Sequence, residues 1–373
     1  MFWIALIIVA LYASLIGMLT YGWLRLPGHA SSPLQATPPV TILIPFRNEA
    51  RQLPLLIEDL TRQQYPAAAL QIMLINDHST DKGPERAAKR TAPYSHVELL
   101  HLPHEQAGKK AALTYGLTHA TGDYILTTDA DCRVSPQWVA TMVTCQQQTK
   151  ARIVCGPVAI APTKNFWQRF EALEFMSLNA SGAGAIGVKR PIMSNAANTL
   201  YVTKTFRDLQ KALRQDLPSG DDIFLLLTQK RKRARSIAFV RNTHALVTTA
   251  PQQSISSFFT QRKRWTSKSS HYHDTDILLV AISVALMNLA LAGTLIGSLV
   301  HGSLIYVALF LYLSKTLIDL PLLAAAAPFY SAQKYLPALP LFQLLYPFYI
   351  TFTVATGFFG KIRWKNRVYK KKK

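Results

Sequence analysis

Between residues 40 and 131, apolar runs repeatedly end in polar, chemically capable side chains. Val40-Thr41-Ile42-Leu43-Ile44-Pro45 passes into Phe46-Arg47-Asn48-Glu49, and Ile72-Met73-Leu74-Ile75 passes into Asn76-Asp77-His78-Ser79-Thr80-Asp81. Residues 97–102 form a third such run. Gly122-Asp123-Tyr124-Ile125-Leu126-Thr127-Thr128 reads as a turn and a fourth run, and it passes into Asp129-Ala130-Asp131. Short apolar runs bounded by polar residues read as buried strands. Residues 53–63 and the stretch from Gly108-Lys109-Lys110 to Gly116 read as helices between them. Alternating strands and helices predict an α/β domain whose parallel sheet is covered on both faces. Its ligands would bind at the carboxyl ends of the strands, where the polar residues gather.

Asp129 and Asp131 would stand together at that edge. Two carboxylates one residue apart are costly to bury unless a cation lies beside them. A hard divalent ion, Mg²⁺ or Mn²⁺, that keeps waters and shares its shell with phosphates suits such a pair. A solvated acidic turn is the plain alternative for this Asp-x-Asp taken by itself.

The remainder of the chain extends the domain. Residues 153–160 and 198–202 read as strands. Residues 166–176 read as an amphipathic helix, its Trp167, Phe170, Leu173 and Phe175 facing either a bilayer surface or the sheet. Ser219-Gly220-Asp221-Asp222 opens a helix with carboxylates at its positive end. The basic block at 230–235 is either a solvated face or a contact with anionic lipid. Gln261-Arg262-Lys263-Arg264-Trp265 follows a further helix that starts near Ser254.

Both ends of the chain are membrane-like. The 373 residues carry a net charge of +21 and are 49% hydrophobic. Residues 2–24 are an apolar run of spanning length. No basic residue precedes it and no small-x-small cleavage site clearly follows, so a retained anchor is expected rather than a signal peptide. Residues 277–300, 303–330 and 336–360 are further apolar stretches. The expected division is an N-terminal anchor at 1–25, a linker at 26–39, the α/β domain at 40–275, membrane segments at 276–360 and a basic tail at 361–373. That tail has eight Lys and Arg and no acidic residue, so charge bias puts it in the cytoplasm. Three single crossings after a cytoplasmic domain would put it outside. A re-entrant hairpin at 303–330, with Lys315 and Asp319 on its protein-facing side, removes the conflict. The basic balance does not point to nucleic acid, because no zinc-finger spacing, RNA-recognition signature or basic heptad region accompanies it. Cys132, Cys145 and Cys155 are odd in number and scattered, as expected of reduced, buried thiols.

Taken in order, these motifs resemble those of the inverting, processive-type nucleotide-sugar glycosyltransferases, the superfamily of the cellulose, chitin and hyaluronan synthases. The matching marks are Ile44 to Glu49, Asn76 to Asp81, Gly108-Lys109 with Ala112-Leu113, Asp129-Ala130-Asp131, Gly220-Asp221-Asp222 and Gln261 to Trp265. The resemblance implies a GT-A fold and a bacterial inner-membrane, multi-pass enzyme with a cytoplasmic active site. Its donor would be a UDP-sugar, and its acceptor a lipid-linked sugar or a glycan. Pro45, Arg47, Glu49, Asp77, Lys109 and Asp129 would hold the donor, and Asp131 with Asp129 would ligate Mg²⁺ or Mn²⁺. Asp222 would be the general base, with Asp221 as the alternative and otherwise a cap or orienting group. Gln261, Arg264 and Trp265 would serve the acceptor and diphosphate.

The sequence departs from the family pattern in places. Asn76 stands where an aspartate is frequent, and Thr114 where an asparagine is frequent. Ser194-Asn195-Ala196-Ala197-Asn198 lacks the usual glycine, and the membrane part is short for a polymer channel. Readings from other classes are an inactive membrane-anchored scaffold and a membrane nucleotidyltransferase. The second would leave Gly220-Asp221-Asp222 and the Gln261 to Trp265 motif unexplained.

Overall fold

The computed structural model describes residues 2–28, 36–163, 165–214, 220–268, 271–359, 362–364 and 367–369, with side chains described as far as residue 356. Half of the expected linker (29–35), Ser219 and most of the basic tail therefore lie outside the described residues.

The chain opens with helix α1 (Phe2–Arg25). Then follow β1 (Val40–Phe46), α2 (Leu53–Thr61), β2 (Leu70–Asn76), α3 (Gly83–Thr91), β3 (Val97–His101), α4 (Lys109–His119) and β4 (Tyr124–Thr127). Next come β5 (Cys132–Arg133), α5 (Trp138–Thr149), β6 (Ile153–Cys155), β7 (Val158–Ile160), α6 (Phe166–Gly187), β8 (Thr199–Val202) and α7 (Thr203–Leu209). The α/β region ends with α8 (Asp221–Arg233), β9 (Ile237–Phe239), β10 (Val247–Thr249) and α9 (Ile255–Thr266), and then α10 (Thr275–Gly297), α11 (Leu304–Ala326) and α12 (Leu339–Phe359) follow.

Seven strands form one sheet in the order β3-β2-β1-β4-β8-β6-β9. The first four are parallel, and β8 enters antiparallel between β4 and β6. Side chains alternate across the pleat. Ile42, Ile44, Ile72, Leu74 and Leu126 face one apolar core, while Leu43, Met73, Ile75 and Ile125 face the other. Both faces are therefore covered, which explains why these strands read as continuous apolar runs.

The register decides where the chemistry lands. Phe46 lies opposite Asn76, and Leu43 lies opposite Thr127. The carboxyl ends of β1, β2 and β4 thus meet at one edge of the sheet. The loops carrying Arg47, Asp77 and Asp129 open together there. The expected strand at 153–160 is instead two strands in different sheets, because Gly156-Pro157 turns the chain between β6 and β7.

The expected amphipathic helix at 166–176 runs on to Gly187 and is buried around most of its circumference from Phe170 to Ile186. Its carboxyl half packs on α1 with backbone in contact. A Cβ on Gly22 would stand 2.0 Å from the Gly184 carbonyl oxygen, and one on Gly184 would stand 2.1 Å from that of Leu19. Only glycine permits that approach. Trp23 then packs on Phe239 of β9 and on Phe329 and Tyr330 after α11, so the end of α1 touches both the α/β domain and the C-terminal helices.

Among the described residues, four helical segments are long and apolar enough to cross a membrane: Phe2–Arg25, Thr275–Gly297, Leu304–Ala326 and Gln333–Thr356. The expected re-entrant hairpin at 303–330 is not found, since α11 is one uninterrupted helix that carries Pro321 inside it. Its charges need no break in the backbone because neighbouring helices satisfy them. Lys315 bonds Asp319 at 2.7 Å and Gln343 at 2.5 Å, and Tyr12 donates to Asp319 at 2.7 Å. The basic block is also partly structural: Lys230 pairs with Asp274 and Asp276, each at 2.7 Å, while Arg231, Lys232 and Arg233 are exposed.

Candidate active site

A cavity of about 380 Å³ opens at the carboxyl edge of the sheet. Pro45, Arg47 and Glu49 reach it from the loop after β1, Asp77 from the loop after β2, and Lys109 from the start of α4. Asp129 and Asp131 come from the loop after β4, Asp221 and Asp222 from the first turn of α8, and Gln261, Arg264 and Trp265 from α9. All twelve residues singled out in the sequence therefore line the same cavity.

The first two loops brace each other. Arg47 Nη1 donates to the Asp77 carbonyl oxygen at 2.8 Å. Asn48 adopts φ of +56°, its N–H donates to Ser79 Oγ at 3.0 Å, and its side-chain oxygen accepts the Thr80 N–H at 2.8 Å. The Ala50 N–H donates to Asp81 at 2.9 Å. The polar residues after each strand thus build a rigid rim, with the Asp77 side chain nearly fully buried in it.

Lys109 links the acidic groups. Its ammonium donates to Asp129 Oδ1 at 2.6 Å and stands 3.3 Å from Asp221 Oδ2. The second contact is between charges only, since Asp221 Oδ2 is buried and receives no hydrogen bond. Burial works against the lysine's charge, but Asp129 and Asp221 overcome it and raise its pKa. Burial likewise works against the Asp221 carboxylate, yet Lys109, Lys268 and Lys110 hold its pKa below the ordinary value. Gly220, at φ of +94°, makes the turn that delivers Asp221 and Asp222 to the positive end of α8.

Asp222 is held differently. Its Oδ1 accepts the Ile223 N–H at 2.8 Å and lies 3.7 Å from Lys268 Nζ. It is half-buried, whereas Asp221 is 6% exposed. Burial lowers the Arg264 pKa, while Asp129, Asp221, Asp131 and Asp222 act to raise it, so the guanidinium sits in the field of all four carboxylates. Trp265 packs its ring 6.0 Å from that of Phe175.

Among the described residues no group of three or more His, Cys, Asp or Glu could hold a metal on protein ligands alone. The carboxylates that could serve a cation there are Asp131, exposed at the cavity, and Asp129, whose Oδ1 already accepts from Lys109. Such a pair fits a hard cation that completes its shell with phosphate oxygens and water, and it does not fit a structural metal.

Sequence reasoning missed several lining residues. Lys268 and Tyr272, which follow α9 in the chain, line the cavity as well. Phe175 and Leu178 of α6, with Ile192 and Met193, form an apolar wall. Apolar residues in a helix carry no mark separating a cavity wall from core, so only the packing reveals them. Cys132, Cys145 and Cys155 are buried thiols, as expected, and burial pushes Cys145 up to about 12.

The family model for glycosyl transferase family 2 matches residues 41–198, and that for glycosyl transferase family group 2 matches residues 124–355. The β-monoglucosyldiacylglycerol synthase of Nostoc is 31% identical over 156 residues, 41% of this chain and 33% of that protein. An undecaprenyl-phosphate 4-deoxy-4-formamido-L-arabinose transferase of Salmonella choleraesuis is 32% identical over 105 residues, 28% of this chain and 32% of that protein. The chain thus spans about a third of the length of these curated relatives. Among solved structures, a mannosyltransferase of Pyrobaculum calidifontis in complex with GDP-Man and Mn²⁺ superposes with a TM-score of 0.55 at 17% identity, covering 95% of each chain. With a family model matching well over half of its residues and a shared GT-A fold, this chain belongs to glycosyl transferase family group 2.

Proposed function

We propose that this protein is a membrane-bound, inverting glycosyltransferase that moves a sugar from a UDP-sugar to a lipid-linked acceptor or glycan. The observation that carries this reading is the convergence of Asp129, Asp131, Asp221 and Asp222 with Lys109 and Arg264 in one cavity. Four carboxylates and two fixed cations there match the needs of a diphosphate, a divalent ion and a hydroxyl that must lose a proton.

The nucleoside would lie over the rim made by Pro45, Arg47, Glu49 and Asp77. Asp131 and Asp129 would hold Mg²⁺ or Mn²⁺, which neutralises the diphosphate leaving group when bound. Lys109 and Arg264 add fixed positive charge beside the same phosphates, and Arg264 offers a planar fork for their oxygens. Asp222 accepts the acceptor hydroxyl's proton during attack. It suits that role better than Asp221, which is buried and bound to Lys109. Attack from the face opposite the leaving diphosphate inverts the anomeric carbon.

The apolar wall of Phe175, Leu178, Ile192 and Met193 supports an amphiphilic acceptor. The named activities of the relatives, on diacylglycerol and undecaprenyl phosphate, agree with it. Four candidate spans among the described residues support a multi-pass membrane protein, and a supply of sugar nucleotides puts its active site in the cytoplasm.

The test is to incubate the full chain in detergent with Mn²⁺, a panel of UDP- and GDP-sugars, and dioleoylglycerol or undecaprenyl phosphate. Release of UDP and a lipid product heavier by one hexose is expected. Absence of nucleoside diphosphate release with every donor would overturn the reading, and release from GDP-sugars alone would overturn its donor.

A further inference from the structure

Behind the cavity wall lies a buried charged group that the proposed chemistry does not use. Arg262, inside the Gln261 to Trp265 motif, is 3% exposed and does not line the cavity. Its guanidinium is clasped by Glu174 of α6, with Nη2 to Oε2 at 2.5 Å and Nε to Oε1 at 3.2 Å. A buried ion pair is costly to assemble, so packing alone is a poor reason for it. Its other contacts lead into the site. Arg262 Nη1 donates to the Gln261 side-chain oxygen, and the guanidinium lies 4.3 Å from the Trp265 ring centre, with Phe258 at 4.6 Å on a second side. Gln261 and Trp265 both line the cavity.

The clasp reaches outward as well. Tyr349 of α12, within the last candidate span, donates its hydroxyl to Glu174 Oε1 at 3.0 Å. Phe352 of the same helix packs on Phe259 of α9 at 5.2 Å between ring centres. The chain Tyr349, Glu174, Arg262, Trp265 thus runs from an apolar helix to the acceptor side of the cavity through four adjoining side chains.

We propose that Arg262 and Glu174 are positioning residues which set the orientation of Gln261 and Trp265, and that α12 holds them in place through Tyr349. This rests on the reading of the cavity as a transferase site. A guanidinium against an indole face has a preferred geometry. Its fork is fixed by the two Glu174 oxygens, so the ring inherits that orientation. Lysine at 262 would keep the charge but lose the fork.

The experiment compares full-length wild type with Tyr349→Phe and Arg262→Lys in detergent micelles. Tryptophans are labelled with 5-fluorotryptophan, and the Trp265 line is assigned with Trp265→Phe. UDP binding in Mn²⁺ is measured by calorimetry, and transfer to dioleoylglycerol or undecaprenyl phosphate is followed where wild type shows it. Both variants should shift the Trp265 fluorine line while leaving the other tryptophan lines in place. They should bind UDP within about twofold of wild type, yet lose about 10- to 100-fold in transfer. A stationary Trp265 line with transfer near wild type would overturn the proposal. Movement of every line together with loss of UDP binding would also overturn it, because the group would then be a bolt between helices. If wild type transfers nothing, the transferase reading has failed, while the fluorine line still decides whether Arg262 orients Trp265.

Discussion

Lys109 Nζ lies 2.6 Å from Asp129 Oδ1 and 3.3 Å from Asp221 Oδ2, so one ammonium joins the loop after β4 to the first turn of α8. These two carboxylates are 92 positions apart in the chain. The lysine holds them together in one cavity.

Lys109→Met leaves Asp221 buried beside weaker partners. The cost should be about 2 kcal/mol, below the figure for a fully buried pair because the Lys109 side chain is 21% exposed. Urea unfolding of the full chain in detergent measures it. A midpoint equal to that of wild type would show that the bridge does not stabilise the fold.

The same pair carries a pH signature. The Asp221 pKa is lower in the folded protein than in the unfolded chain, so its contribution is present above the unfolded value of about 4 and is lost as pH falls through the folded value. The Lys109 pKa is raised, so its contribution is complete below about 10 and is lost only on strong alkalinisation. The stability gap between wild type and Lys109→Met should therefore be flat from pH 6 to 8 and shrink below pH 4. A gap that changes across neutrality would assign it to other groups.

Asp222→Asn preserves shape and the Ile223 cap while removing the proton acceptor. Turnover should fall about 100-fold or more, with UDP binding unchanged. Near-normal turnover would shift the role of base to Asp221.

Asp131→Asn should weaken UDP binding by about tenfold in Mn²⁺ and leave the residual binding in chelator unchanged. Titration of UDP with and without the metal separates the two. Equal loss in both conditions would mean that Asp131 acts on the nucleotide directly.

Gly184→Val places side-chain carbon where the Leu19 carbonyl oxygen already lies 2.1 Å from an added Cβ. The α1–α6 contact must open, at about 1–3 kcal/mol. A lowered thermal midpoint in detergent, with protease cutting between α1 and β1, is expected. An unchanged midpoint would show that α1 contributes little to holding the domain.

The alternation of strands and helices and the motif residues were legible because their causes are local. Ile42, Leu74 and Leu126 are apolar on a sheet covered on both faces, and each run stops where the strand reaches its ligand-binding edge. Asp129, Asp131, Asp221, Asp222, Gln261, Arg264 and Trp265 are marked by type and spacing. The re-entrant reading of 303–330 failed for a non-local reason. Lys315 and Asp319 are satisfied by Gln343 and Tyr12, which are close only after three helices have packed. The burial of α6 was hidden for a similar reason, since its Ser181-Gly182-Ala183-Gly184 stretch becomes an interface only when α1 lies against it.

By itself the sequence determined an α/β domain between apolar ends and the side chains available for chemistry, because hydrophobic periodicity and residue type act within one strand or helix. Tertiary structure alone decided that Lys109 lies between Asp129 and Asp221 and that Glu174 clasps Arg262 behind Trp265. Those pairings depend on which loops the strand register brings level and which helices close over them. A buried charge finds its partner in space, at a separation no local pattern encodes.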